Sequence, residues 1–497
     1  MLKSGTRAVL CNTSVENRRS SLQNVSERSW KFIDMLSNKP PEDKYSAVYF
    51  ILLLHGIGVL MPWNMFITIA PSYYVDYKFT EVKADGAVHK TDYALHFLAY
   101  IGLASQIPSL LLNLINLVVQ IKGGLRQRIG MSLFTLAILI LITLIFTLIN
   151  TSHMISAFFF ITMATVVLLN AANGVYQGSL YGLTANFPPQ YTNSVILGNN
   201  ICGTFVSIVN IITLFVAKNV WMAAFFYFLM SLLTVFTCLG SIFILQKLEF
   251  YKYYMKKAKK HGDKEANDEG QHLERINTVD GMIMDGSEGR VVSKTGLKAK
   301  LKLYFQVFKK IWIQCFNVWC VFFVSLTLFP VVMADIKYYS KDGEYDFFIS
   351  EKLFTPITTY LLFNFFAAAG SFLATFIQWP SPKWVVIPAT ARFAFIPLLI
   401  FCYFRPEYRT WNVWFYNVWI YIILAITMSF TSGYFSSVIM MYVPRIVEPS
   451  KSSVAGMIAA FFLIFGITCG ILFTFFISWF IDSAGAHKPG NFDTLMS

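Results

Sequence analysis

Long apolar stretches alternate with short polar segments along almost the whole chain. About eleven stretches have roughly 20 or more residues, enough to cross a hydrocarbon core of about 30 Å. Six precede a basic polar segment at 247–310, and five follow it. The pattern predicts an all-α polytopic membrane protein with eleven transmembrane helices in a 6+5 arrangement. The predicted spans are 45–69, 94–120, 130–150, 155–183, 193–217, 220–246, 311–335, 352–379, 384–404, 411–442 and 453–482.

The spans and the segments between them divide the chain into five parts. A six-helix bundle at 45–246 and a five-helix bundle at 311–482 are joined by the segment 247–310. This segment begins with many lysines and continues with glycine and acidic residues, which is typical of an interfacial helix followed by disorder. Polar tails are expected at 1–44 and 483–497, and we expect no cleavable signal peptide because the first tail is polar.

Basic residues are distributed unevenly between the two sides that alternating spans define. The 497 residues carry a formal net charge of +13. With the N-terminus inside, about 29 Lys and Arg fall in cytoplasmic segments and about 10 outside, as the positive-inside rule requires. We therefore expect a cytoplasmic N-terminus, an extracellular C-terminus, membrane lipid as a partner of the basic segment, and no nucleic acid partner. The plasma membrane is the expected location, with an internal membrane as the alternative.

Composition and motifs exclude several classes of protein. With 56% hydrophobic and only 13% charged residues, the chain is not a soluble globular protein. It has no phosphate-binding loop motif, so ATP is not an expected partner. The spans carry no paired carboxylates, zinc-ligand set or Ser-His-Asp arrangement, so we expect neither an enzyme nor a cofactor or metal. For His55 and His96, which lie in spans, we favour packing over proton transfer because no intramembrane Asp or Glu accompanies them.

Polar residues recur at helical spacing in at least five spans. Since lipid-facing surfaces are apolar, such stripes mark faces turned towards protein or water. Each residue either hydrogen-bonds a neighbouring helix or borders a hydrated cavity between the bundles, and the stripes together favour the cavity. Gly174, Gly178 and Gly182 are predicted to admit a close helix neighbour. The stripes are Gln106, Ser109, Asn113, Asn116 and Gln120; Asn170, Asn173, Gln177 and Tyr181; Asn199, Gly203, Ser207 and Asn210; Asn364, Ala367, Ala368 and Ser371; and Ser429, Ser432, Gly433 and Ser436.

Two spans carry further candidate residues. In the first span Pro62 favours a kink, and Trp63, next to Asn64, offers a flat face to a planar ligand or anchors the helix at the membrane interface. In the ninth span Arg392 has no carboxylate in the neighbouring membrane sequence. Gating and snorkelling to the cytoplasmic interface are the two roles open to it.

Six short motifs follow one another along the chain. They are GIGVLMPWN at 56–64, QGSLYG at 177–182, FNFF at 363–366, ARFAFIP at 391–397, SGY at 432–434 and AGMIAAFF at 455–462. Their sequences and order resemble those of the equilibrative nucleoside transporters, over about 44–482. The resemblance implies a fold similar to the major facilitator class, with a central site exposed alternately to each side. The implied activity is facilitative nucleoside transport, with carriage of nucleobases left open.

The resemblance also implies roles for individual residues. Trp63 would line the site near the base, Gln177 would hydrogen-bond the substrate, and Gln106 would occupy a site-lining position. Arg128 and Asn364 match family positions associated with the cytoplasmic gate. The gate residues expected from the sequence are thus Arg128, Asn364 and Arg392.

Two positions depart from the family pattern. Many nucleoside-carrying members have an Asp and, four residues later, an Arg in the eighth span, where this chain has Ala367 and Ser371. Each lost partner removes about 1 to 3 kcal/mol of discrimination, which leaves open a substrate other than an ordinary ribonucleoside. Ser371 keeps a hydroxyl, and with Asn64 it completes the set of predicted substrate-binding residues.

Two other functions stay open from the sequence. A carrier of other small organic solutes, such as organic cations, would prefer an intramembrane carboxylate, and none is evident. A receptor or scaffold that keeps the fold without moving solute would not need cavity-facing amides. We therefore favour the nucleoside carrier.

Overall fold

The computed structural model describes most of the chain except its tails and the middle of the basic segment. The described residues are 40–82, 88–119, 124–216, 219–260, 292–340, 344–406, 409 and 411–483. Gln120, the last residue of the predicted stripe in the second span, lies outside them, as do nearly all of the predicted tails.

Six long helices form the first half of the chain and alternate in direction. A helix suits these apolar stretches because it satisfies the backbone polar groups internally, as hydrocarbon requires. A π-helical segment, Pro71–Lys78, extends the first of them and leads into an antiparallel pair of short strands, β1 (Thr80–Val82) and β2 (Val88–Lys90). The helices are α1 (Ala47–Ala70), α2 (Asp92–Val119), α3 (Leu125–Leu148), α4 (Ile155–Thr184), α5 (Pro189–Val216) and α6 (Val220–Leu245).

A shorter helix, α7 at 249–260, follows α6 and precedes the second half of the chain. In that half a π-helical turn, Pro356–Leu361, joins two helical pieces into one membrane-length run, Glu351–Phe376. The helices are α8 (Val292–Leu328), α9 (Val331–Ala334), α10 (Glu351–Thr355), α11 (Leu362–Phe376), α12 (Val386–Ala391), α13 (Phe395–Ile400), α14 (Val418–Ile446) and α15 (Ser452–Ser483).

Ten helical runs within the described residues are long and apolar enough to cross a membrane, which confirms the predicted fold class. The ninth predicted span, 384–404, differs. There α12 and α13, of six residues each, are joined by a 3-10 turn at Arg392–Ala394. Pro397 lies in the first turn of α13, where a missing N–H group costs least. The count of eleven spans therefore stays a prediction.

The long helices fall into two groups. Helices α1 to α6 pack mainly on one another and form the first group, and α8 to α15 do the same and form the second group. The groups meet where α5 contacts α11 and α14, and where α15 contacts α2 and α4. We call the side on which α6 ends and α8 begins the linker side. Because the helices alternate, α4 ends there and α5 and α15 begin there; the boundaries predicted for the two bundles remain predictions.

Two glycines of α4 let α2 approach closely. A Cβ at Gly174 would collide with the backbone carbonyl of Ser109, and one at Gly178 would collide with the amide of Asn113. The close helix contact predicted from this spacing is thus confirmed for both positions. Gly182 instead faces a side chain of α15.

Candidate functional site

Helix α1 is an interior helix with a half-buried face. None of residues 51–70 is exposed, whereas the outer faces of α2 and α3 carry many exposed apolar side chains. Trp63 is half-buried and lies parallel to Phe66, with the ring centres 6.0 Å and the ring planes 6° apart. Asn64 is also half-buried, and its Nδ2 lies 3.9 Å from Cys202 Sγ. The helix continues through Pro62. The substrate-binding roles of Trp63 and Asn64 stay predictions.

Most of the polar stripe of α2 is used to bind α4. Asn113 Nδ2 donates to the carbonyl of Gly174 at 2.9 Å, and Asn116 Nδ2 donates to Ser179 Oγ at 3.3 Å. Gln106, by contrast, is half-buried, and its Nε2 contacts the hydroxyl of the preceding residue at 3.3 Å. Two of the predicted cavity amides therefore serve packing, while Gln106 keeps part of its surface open.

Two of the three amide side chains on α4 keep polar atoms without a hydrogen-bond partner in the described residues. Gln177 is 5% exposed, and its side chain has no hydrogen-bond partner within the described residues. One turn earlier, Asn173 Oδ1 is buried without a partner in the same part of the chain. Asn170 differs because it donates to the carbonyl of Val166 in its own helix at 2.9 Å. A buried polar atom without a partner costs about 1 to 3 kcal/mol, so this face suits a solute or water that hydrogen-bonds.

Helix α5 continues this face. Asn199 Nδ2 donates to Tyr181 OH at 3.4 Å, and Asn199 Oδ1 is buried with no partner among the described residues. Tyr181 follows Gln177 by one turn, so both lie on the same face of α4. Asn199 of α5 lies next to this face. We call Asn173, Gln177 and Asn199 the open amide face.

Helices α5 and α11 form a hydrogen-bonded seam between the two groups. Near the linker side, Asn193 Nδ2 donates to the carbonyl of Ser371 and to Thr375 Oγ1, both at 2.9 Å. Two turns on, Asn200 Nδ2 donates to Ser371 Oγ at 2.7 Å, and Ser371 Oγ donates to the carbonyl of Gly433 at 3.1 Å. Ser371 is 0% exposed, so its hydroxyl is occupied by protein in this conformation. Its role in substrate binding stays a prediction.

The sequence interpretation missed two amides of this seam. Asn193 and Asn200 lie seven residues apart, a spacing that puts them on one helix face. The signal was available, but Asn193 stood at the predicted end of a span, where polar residues are expected anyway.

Asn364 packs in the middle of the same seam. Its Nδ2 donates to the carbonyl of Tyr360 at 2.9 Å and to Ser207 Oγ at 3.4 Å. A Cβ at Gly203 would collide with the Asn364 amide, so this glycine makes room for it. The residue stands halfway along the run Glu351–Phe376 rather than at its linker end, and its role at a gate stays a prediction.

At the linker side the two groups close on each other through α4 and α15. Asn186, just after α4, and Ser453, at the start of α15, exchange hydrogen bonds of 2.7 and 3.0 Å. Gly182 faces Met457, and Gly456 faces the backbone of α4. We call this set of contacts the linker-side closure. It lies about one turn of α4 beyond the open amide face.

Arg392 ties together helices of the second group. It is 2% exposed and donates to the carbonyl of Met428 at 3.0 Å, to Ser325 Oγ at 2.8 Å and to Thr431 Oγ1. Ser325 Oγ in turn lies 2.7 Å from Ser432 Oγ. The side chain does not reach the surface, so the snorkelling alternative is wrong for this conformation. Gating stays a prediction.

Two charged contacts lie at the linker side. Arg128, 7% exposed in the first turn of α3, donates to Asn116 Oδ1 at 3.2 Å, within the first group. Lys310 hydrogen-bonds Glu448, and Lys451 lies 3.7 Å from the same carboxylate. The hydrogen bond from Lys310, together with the nearby charge of Lys451, lowers the pKa of Glu448. The predicted gating role of Arg128 is not tested by this contact.

The two intramembrane histidines differ. His55 is 1% exposed, with Nδ1 2.6 Å from Tyr176 OH and Nε2 3.1 Å from Ser241 Oγ, so its packing role is confirmed. His96 is exposed near the start of α2, its ring 6.0 Å from that of Tyr100, so the packing prediction is wrong for it. His96 lines an apolar groove of about 700 Å³ on the outer surface of α2 and α4.

Within the described residues no three His, Cys, Asp or Glu side chains are grouped to hold a metal ion.

Comparison with known families decides what these motifs mean. The family model described as "Nucleoside transporter" matches residues 163–479, more than half of the chain. The chain belongs to the nucleoside transporter family. The resemblance inferred from the six motifs is thereby confirmed.

The relatives of this nucleoside transporter family member are similar along nearly their whole length. Equilibrative nucleoside transporter 1 of Homo sapiens is 29% identical over 474 residues, covering 89% of this chain and 99% of the relative. Equilibrative nucleoside transporter 2 of Homo sapiens is 27% identical over 475 residues, with the same coverage. Equilibrative nucleoside transporter 3 of Rattus norvegicus is 24% identical over 433 residues, covering 86% and 88%.

The fold is similar to that of a solved major facilitator protein. The proton:xylose symporter XylE, bound to 6-bromo-6-deoxy-D-glucose, matches with a TM-score of 0.56 and 11% identity. The match covers 88% of this chain and 90% of the symporter. The major-facilitator-like architecture expected for the family is confirmed.

In this member of the family, the two positions expected to depart from the family pattern lie inside the α5–α11 seam. Ala367 is 1% exposed, and its carbonyl packs against the Cα of Gly433, while Asn200 Nδ2 lies 3.4 Å from the same carbonyl. Small residues at 367 and 371 thus let α11 approach both α5 and α14. In this conformation the space that larger charged side chains would occupy is filled by the helices themselves.

Proposed function

We propose that this protein carries nucleosides across the membrane by facilitated diffusion, through a site between the two helix groups. The observation that supports this function best is the open amide face. A nucleoside base has a hydrogen-bonding edge and a flat aromatic surface. Gln177 and Asn173 supply donors and an acceptor that lack protein partners, and the half-buried Trp63 supplies an aromatic plane. Gln106 borders the same interior.

We infer that transport proceeds by alternating access, in which the groups rock about the α5–α11 seam. The seam extends along much of α5, from Asn193 to Ser207, which accepts from Asn364 of α11, whereas the linker-side closure depends on a short contact at the end of α4. Parting Asn186 from Ser453 would open the linker side while the seam stays in place. From the excess of Lys and Arg we infer that the linker side faces the cytoplasm. We propose the plasma membrane as the location, with an internal membrane as the alternative.

Counterflow in vesicles tests the function. Purified full-length protein is reconstituted with unlabelled nucleoside inside, and uptake of labelled uridine, adenosine, uracil and adenine is followed without an ion gradient. Transient accumulation of a nucleoside is expected, because exchange needs no energy input. Accumulation that requires a proton or sodium gradient contradicts the passive mechanism, and exchange of an organic cation in place of every nucleoside contradicts the substrate class.

A matched pair of variants tests the site. Gln177→Ala removes an open amide, and Asn170→Ala removes an amide two turns away that is satisfied by its own helix. The first is expected to raise the half-saturating nucleoside concentration by about 2- to 10-fold, the value of one neutral hydrogen bond. The second is expected to leave it unchanged at equal surface expression. Equal effects would remove Gln177 from the site.

A further inference from the structure

Helix α7 lies at the linker side and has two different faces. Phe250 and Tyr251 are each 7% exposed, and Tyr254 and Met255 are half-buried, so these aromatic and apolar side chains form the inner face. Glu249 at the start of the helix is its exposed acidic residue. The lysines of the outer face, all exposed, are Lys252, Lys256, Lys257, Lys259 and Lys260. A cluster of lysines this close to a transmembrane helix is typical of a segment that binds anionic lipid headgroups at the membrane surface.

The inner face of α7 packs on the turn that joins α4 to α5 and on the first turn of α5. The ring centre of Phe250 is 5.0 Å from that of Tyr191 and 6.2 Å from that of Phe187, and Tyr251 is 5.8 Å from Phe187. Tyr191 OH donates to Asp43 Oδ2 at 3.1 Å, and Asp43 also accepts from backbone N–H groups at the start of α1. The position of α7 is therefore coupled to the linker ends of α1, α4 and α5.

This turn and the start of α5 also carry contacts between the two groups. Tyr191 is two residues before Asn193, which bonds the linker end of α11. At the other end of the turn, Asn186 bonds Ser453 in the linker-side closure. Any displacement of α5 or of the end of α4 that opens the linker side must move the surface on which α7 rests.

We propose that anionic lipid headgroups bind the lysine face of α7 and thereby favour the conformation closed at the linker side. The membrane surface fixes the position of α7. Helix α7 then fixes the position of the segment that joins α4 to α5. Each lysine near an anionic surface strengthens binding about fivefold, and salt screens the attraction. The use of this lipid effect to regulate flux rests on the proposed transport function.

The test measures the linker-side distance directly. Spin labels are placed at Gln127 and Lys383, two exposed linker-side positions in different groups. Distance distributions are recorded for the full chain in bilayers of phosphatidylcholine alone and in bilayers that contain phosphatidylserine. The short-distance, closed population is expected to rise in phosphatidylserine and to fall again at high salt. An unchanged distribution in the two lipids overturns the proposal.

Matched variants distinguish an effect of the α7 lysines from an effect of basic residues elsewhere on the linker side. Lys256→Gln with Lys259→Gln is expected to remove most of the response. Lys302→Gln with Lys309→Gln removes equal charge from exposed positions on α8 and is expected to retain it. Equal loss in both pairs overturns the assignment to α7.

A third variant tests the coupling itself. Phe250→Leu keeps the lysines and is expected to bind phosphatidylserine vesicles normally while the shift in distance is reduced. A full shift in this variant overturns the coupling through Tyr191. Uridine counterflow in phosphatidylcholine is measured in parallel, so a lipid response without any transport sets aside the proposed function and leaves the lipid site standing.

Discussion

Two sets of buried amides in this protein resemble each other in sequence and differ in structure. Asn113 and Asn116 of α2 donate to α4 at 2.9 and 3.3 Å, whereas Asn173 and Gln177 of α4 keep polar atoms without partners in the described residues. Both sets are almost completely buried. Burial of an amide in a membrane helix therefore does not separate packing from binding; the presence or absence of a protein partner does.

The largest expected effect comes from disrupting the close contact between α2 and α4 that Asn113 makes. Gly178→Leu places a side chain where Asn113 of α2 already lies. Separation of α2 from α4 is expected to cost about 3 kcal/mol, the upper part of the range for over-packed interiors. Thermal unfolding of the purified protein measures the loss. Gly102→Leu on α2 is the control, because a Cβ there meets no atom nearby. Equal destabilisation by both variants would contradict the close contact.

A second effect concerns the seam between α5 and α11. Ser371→Arg puts a long charged side chain into a position that is 0% exposed and bonded to Asn193 and Asn200. We expect destabilisation of about 1 to 3 kcal/mol, which Ala367→Asp in the same chain offsets only in part, because the helices already fill the space. Unfolding midpoints of the single and double variants measure this, with Ser371→Ala as the small control. A fully stable Ser371→Arg protein would contradict the sealed seam.

The sequence predicts the class of fold better than the role of each polar residue. Apolar length and charge asymmetry predicted a polytopic helical protein, because the bilayer imposes both. The polar stripes with Gln106 and Asn113 in the second span and with Gln177 in the fourth were also visible. Which of these amides are packed and which are left without partners was not, since that depends on the helix that lies opposite. Arg392 shows the same limit: its partners at Ser325 and Met428 lie far away in sequence, and no local pattern announces them.

The smallest expected effect lies at the surface, where both partners of a contact remain solvated. The pKa of Glu448 is lowered by Lys310, so its carboxylate stays charged, and its contact stays intact, at a pH where a free glutamate begins to protonate. The contribution is present above the ordinary pKa of glutamate and is lost only as pH falls through the lowered value. Glu448→Gln is expected to change stability by less than about 1 kcal/mol at neutral pH. Unfolding midpoints at neutral and acidic pH check this, and a large neutral-pH loss contradicts it.

The contrast between the two amide sets is tested most directly by substrate binding. Calorimetric titration of the purified protein with the nucleoside that is carried best in counterflow gives Kd for the wild type, Gln177→Leu and Asn113→Ala. Gln177→Leu is expected to weaken binding about 10-fold without loss of stability, since an unpartnered polar group is removed. Asn113→Ala is expected to lower stability by about 1 kcal/mol and leave Kd within about twofold. Unchanged binding in Gln177→Leu, or equal weakening in both variants, would contradict the assignment of the open amide face to substrate.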